Sequence, residues 1–129
     1  MRLIDRIYGK GRVLNMGSTT LKKTSKHLIY LIVLTTPFGD EYAKVGLTSS
    51  KNGVKGRFAK DIRNGWKVKV VDTIQAKSKR HQYFVEQSIL SATEQWADYP
   101  SRKLNFQGYS ECRLIHRLED IKTIFNTYK

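Results

Sequence analysis

Tyr30, Lys44, Arg57 and Glu86 are a phenol, two cations and a carboxylate, the group types that phosphodiester hydrolysis calls on. That reaction needs a water deprotonated, the charge of the phosphorane stabilised and the leaving oxygen helped away. A guanidinium can fork onto the scissile phosphate, the role open to Arg57. A carboxylate can hold a hard divalent cation such as Mg²⁺ or Mn²⁺, which prefers oxygen ligands, the role open to Glu86. A phenol accepts a proton only after losing its own. Its ordinary pKa of about 10 must therefore be lowered by nearby cations, of which Lys44 is the candidate.

The surrounding sequence predicts the elements that carry these groups. Residues 28–35 are apolar and β-branched and read as a buried strand holding Tyr30. Thr36-Pro37-Phe38-Gly39-Asp40 supplies turn chemistry, and residues 41–48 return as the second strand of a hairpin holding Lys44. Residues 54–64 read as a short helix with Val54, Phe58 and Ile62 as its apolar stripe, Arg57 beside that stripe and Gly65 at the terminating position. Residues 66–74 alternate as a third strand, with Lys67, Lys69 and Val71 on its wetter face. Residues 78–97 form the longest helix, capped by Ser78, buried through Val85, Ile89, Ala92 and Trp96, and ended by Tyr99-Pro100. Glu86 falls at the border of that stripe, where a carboxylate is partly desolvated yet reaches a cleft. Glu94 is the competing carboxylate and reads as a solvated one. Residues 112–116 give a short strand, and Leu118, Ile121, Ile124 and Phe125 mark a last amphipathic helix. The order predicts an α+β architecture, a small antiparallel sheet covered by helices.

Composition bounds the partner. The chain has 129 residues, room for one domain with a core, and sets 24 Lys+Arg against 11 Asp+Glu for a net charge of +13. Such an excess favours a polyanion held through phosphate contacts. Lys51, Lys55, Lys60 and Arg63 near the short helix, and Lys79 and Arg80 at the start of the long one, flank the expected cleft as nucleic-acid contacts. Residues 1–26 are basic and glycine-punctuated and read as an arm or a loosely attached element before a domain over 27–129, with Arg12-Val13-Leu14 as a short strand. No apolar run reaches the ~20 residues a membrane helix needs, and no secretory signal is visible, so a cytoplasmic setting without a membrane partner is expected. Cys112 is the single cysteine, which excludes an internal disulfide and a cysteine-based zinc cluster.

Leu28-Ile29-Tyr30, Lys44-Val45-Gly46, Thr48, Arg57-Phe58 and helical Glu86 together resemble the GIY-YIG nuclease domain over residues 27–116. Phe106-Gln107-Gly108-Tyr109-Ser110-Glu111 is similar to a Gly-aromatic-Thr/Ser-Glu segment of phage-type members. The resemblance implies a central three-stranded antiparallel sheet flanked by helices and a divalent-metal-dependent endonuclease that nicks or cuts DNA, of phage, homing or restriction type. In it Tyr30 would help activate water, Arg57 would contact the phosphate, Glu86 would hold Mg²⁺, and Asn105 stands for a late asparagine common in the family. The chain departs from the pattern at Leu28, where the family has glycine, at Lys44, where the name-giving tyrosine stands, and at Asp61, where a histidine is frequent. These departures motivate an alternative, a catalytically impaired nucleic-acid-binding or inhibitory module that keeps the fold. The oligomeric state stays open.

Overall fold

A computed structural model describes residues 27–104 and 106–129. The expected arm over residues 1–26, with its short strand, and Asn105 lie outside the described residues. The architecture is α+β. Strands β1 (Leu28–Thr35), β2 (Glu41–Thr48), β3 (Lys67–Gln75) and β4 (Cys112–Leu114) form one antiparallel sheet in the order β3-β1-β2-β4. Helices α1 (Gly53–Arg57) and α2 (Ala59–Arg63) follow β2, α3 (Lys79–Ala92) follows β3, and α4 (Leu118–Asn126) ends the chain. The sheet therefore has four strands rather than three. Tyr42 to Lys44 of β2 pair with Leu114 to Cys112, which places the short last strand on the outer side of the hairpin.

The hairpin closes as its turn residues dictate. Thr36 N donates to Asp40 O at 2.8 Å, and the Thr36 hydroxyl accepts from the Phe38 and Asp40 amides at 3.2 Å. β1 lies at the centre and is covered on both faces, which is why it reads as a continuous apolar run. On one face Ile29, Leu31, Ala43, Val45 and Ile74 pack against Val85 and Ile89 of α3 and Ile121 and Phe125 of α4. On the other, Tyr30, Ile32 and Leu34 pack against Val54, Phe58, Trp66, Phe106 and Cys112. Each large apolar side chain so buried contributes about 1.5–3 kcal/mol.

Three local departures have physical causes. The single helix expected over residues 54–64 is two short ones broken at Phe58, whose backbone sits at φ −107° and ψ 15°. Gly53, Val54 and Gly56 are weak helix formers, and Phe58 is driven fully into the core. The stripe ends there, leaving Ile62 39% exposed. The strand over residues 67–75 carries a bulge: Leu31 faces Asp72 while Ile32 faces Val70. The extra residue shifts the alternation, so Val71 packs against the α3/α4 core and Val70 is 38% exposed. Helix α3 stops at Ala92 instead of running to residue 97, because the Thr93 hydroxyl donates to Ile89 O at 2.9 Å and Arg113 takes Leu90 O at 3.1 Å.

The predicted caps are in place. The Ser78 hydroxyl accepts from His81 N at 3.1 Å. After α2, Gly65 N donates to Ile62 O and Trp66 N to Asp61 O, a Schellman closure that requires the positive φ of +96° at Gly65. Among the described residues no helix is long and apolar enough to cross a membrane.

Candidate active site

Strand register brings Tyr30 and Lys44 together. Tyr30 faces Gly46 across the hairpin, and Lys44 projects from the same face of β2 two residues away. The tyrosine ring lies over the glycine so closely that a Cβ at position 46 would sit 2.4 Å from the phenol oxygen and 3.0 Å from Lys44 Nζ. Glycine is needed there because backbone and phenol occupy the space a side chain would take. Lys44 Nζ donates to the Tyr30 oxygen at 3.2 Å and to Glu111 Oε1 at 2.6 Å. The lysine is wholly buried, so it is no outward strand residue but the centre of a phenol–ammonium–carboxylate chain.

The electrostatics of that chain correct one expectation. Burial raises the Tyr30 phenol above its ordinary 10.0, and the opposing pull of Lys44, together with that of Arg57, does not overcome it. The ammonium of Lys44 is depressed by burial, but Tyr30 and Glu111 outweigh that loss and hold it above the ordinary lysine value. At neutral pH the resting cluster thus holds a neutral phenol and a protonated lysine, with Glu111 accepting from that lysine. The nearby cations moderate the phenol without lowering it.

Glu86 approaches from α3. Gln82, one turn earlier, is buried and donates its amide to Leu28 O at 2.9 Å and Thr48 O at 3.1 Å, pinning the first turns of α3 to the open end of the hairpin. Glu86 is itself buried and accepts from Gln87 Nε2 at 3.0 Å. Burial raises its carboxyl above the ordinary 4.5. The neighbouring Glu111 raises it further, while Gln87 and Lys44 oppose. Two carboxylates meeting in a half-dry place are a hard-oxygen donor set that a divalent cation would relieve, so these residues fit Mg²⁺. Among the described residues no three His, Cys, Asp or Glu side chains cluster as a metal site.

Arg57, at the end of α1, is half-buried with its guanidinium 5.1 Å from the Phe58 ring centre. Phe58 meets Tyr30 edge-on at 5.6 Å, so the arginine lies one ring away from the phenol, whose ionisation it eases. Lys60 lines a cavity beside the site together with Arg57, while Lys51, Lys55, Arg63, Lys79 and Arg80 are exposed. Arg80 lies on the outer face of α3 with Tyr83 and Phe84. His81 is occupied as a cap, its Nδ1 accepting from Lys77 N at 3.1 Å. Glu94 is exposed and pairs with Arg113 at 3.7 Å. Burial pushes the Cys112 thiol up to about 12, which leaves it inert as a nucleophile.

Glu111, Gln82 and Arg113 were not among the expected site residues. Glu111 had a sequence cue, since it closes the Gly-aromatic-Ser-Glu segment. Arg113 had none. It is buried and donates to Thr93 Oγ1, Ser110 O, Cys112 O and Leu90 O at 3.0–3.1 Å, which anchors the segment presenting Glu111. Arg113→Lys is expected to lower stability by about 3 kcal/mol in urea unfolding, because an ammonium cannot meet four acceptors in a planar fork. An unchanged unfolding midpoint would remove Arg113 from this role. No family model matches the chain, nor does any curated protein or solved structure.

Proposed function

We propose that this protein is a metal-dependent DNA endonuclease of GIY-YIG type, hydrolysing phosphodiester bonds at the cluster of Tyr30, Lys44, Arg57 and Glu86. The observation that carries the reading is the meeting of a buried phenol–lysine pair with the buried carboxyl of Glu86 and the part-exposed Glu111, beside a half-buried arginine. The net charge of +13 supports DNA as the polyanion.

In this reading Arg57 draws the scissile phosphate and neutralises its non-bridging oxygens. Glu86 would hold the divalent cation, with Glu111 beside it. That ion supplies charge neutralisation at the phosphate and leaving oxygen when bound. Tyr30, once its own proton has passed to solvent, takes the proton of the attacking water as the water oxygen bonds to phosphorus and the bond to the leaving oxygen breaks. Lys44 holds the phenol in place through its hydrogen bond and favours the phenolate that receives the proton.

The pH dependence follows from the raised phenol. Below its pKa the phenolate fraction grows about tenfold per pH unit, so cleavage rises with pH through neutrality to beyond pH 10. Lys44 remains protonated over the same window because its own value is raised. Single-turnover nicking of plasmid DNA under Mg²⁺ or Mn²⁺ is expected to show this slope in the parent, and Tyr30→Phe to be slow and nearly flat with pH. A parent profile that is flat between pH 7 and 9 would remove Tyr30 from proton abstraction. The second reading, a binding module without cleavage, is favoured by the same neutral phenol and predicts DNA bound but uncut under either metal.

A further inference from the structure

Beside the phenol–lysine cluster lies a cavity of about 900 Å³, within the size range of small-ligand sites. Its floor is aromatic. Trp66 stacks on Phe106 at 4.5 Å, and Phe106 lies parallel to Phe58 at 6.1 Å, so one column of rings runs from the cavity to Tyr30. At its rim Phe38, at the tip of the β1–β2 turn, is 79% exposed. The amides of Asn64 and Gln107 line the walls, and Arg57, Lys60 and Lys103 contribute three cations.

We infer that this cavity receives an unpaired nucleotide of the DNA strand being cut, its base against Phe38 and within reach of Asn64 and Gln107. The inference rests on the nuclease reading in taking DNA as the ligand and Arg57 as the contact to the scissile phosphate. An exposed aromatic ring offers a π-face that any unstacked base can cover, and a paired base in a duplex has no free face to give it. Carboxamides carry both donors and acceptors, which suits a Watson–Crick edge freed from its partner. Lys60 and Lys103 meet the flanking phosphates, and Arg57 joins the cavity to the scissile phosphate because it belongs to both places. The site therefore favours substrates with single-stranded character, such as a flap, a bulge or an extruded base.

Fluorescence anisotropy in EDTA, where no cleavage occurs, tests binding alone. Phe38→Ala is expected to weaken a single-stranded oligonucleotide about 5- to 150-fold, the range for loss of one stacked base, while changing duplex binding less than twofold. Phe38→Tyr restores the affinity. An oligomer built from tetrahydrofuran abasic sites binds parent and Phe38→Ala alike, since it has no base to stack. Equal losses on both forms of DNA, no loss on either, or no binding of either at low salt would overturn the inference. Because Phe38 is exposed and its turn is held by backbone groups and Thr36, the melting temperature should not move. Failure of this preference leaves cleavage untouched, and failure of the parent to cleave under metal leaves the binding preference untouched.

Discussion

Glu86→Gln is expected to lose about 1000-fold or more in cleavage rate and, at neutral pH, to melt a few degrees above the parent. The first effect follows from removing the carboxylate that would hold the divalent cation, whose contribution of several kcal/mol converts to at least three powers of ten. The second follows from the raised carboxyl. Its ionised form is disfavoured by burial and by Glu111, so the stability linked to protonated Glu86 is fully present below 4.5 and is lost as pH rises through the higher folded value. Glutamine needs no ionisation and keeps an oxygen to accept from Gln87. The gain should be present at pH 7 and should vanish at pH 4. DNA binding in EDTA should be preserved. Full activity under Mg²⁺ would end the assignment of Glu86, and a lower melting temperature at pH 7 would mean the carboxylate pair is not repulsive.

Lys44→Met should be inactive and less stable by about 3 kcal/mol. Among the described residues it removes the only cation in hydrogen-bond contact with Glu111 and Tyr30, leaving Glu111 against Glu86. The figure is at the low end for a broken buried pair because the Glu111 side chain keeps 30% exposure and can reach water. The double variant Lys44→Met/Glu111→Gln should recover at least half of the loss, since the stranded charge is then gone. Urea unfolding of the two single variants and the double variant reads this coupling directly. Additive losses would show that Lys44 and Glu111 do not act as a pair.

The hairpin, the Ser78 cap and the Gly65 stop were legible because each depends on neighbours in the chain. Two-residue alternation, proline–glycine turns and cap hydroxyls act over a few residues, and Tyr30 and Lys44 meet because turn length and strand period set their register. The bulge at Val71 and the early end of α3 were not legible, because each is decided by a partner distant in the chain. Arg113 taking Leu90 O is the plainest case.

The same division runs through the candidate site. Residue types, spacing and the family resemblance made candidates of the phenol, the lysine, the arginine and the helical carboxylate, and local pattern gave the strand or helix carrying each. Packing alone settled the charge state. Desolvation, a property of the assembled core, leaves Tyr30 neutral and Glu86 reluctant to ionise whatever their neighbours in sequence. Packing also brought Glu111 across 67 positions to Lys44, fixed α3 through Gln82 and paired the short strand expected near residue 112 with β2. Local periodicity carries no information about contacts at that separation, which exist only once both faces of the sheet are covered.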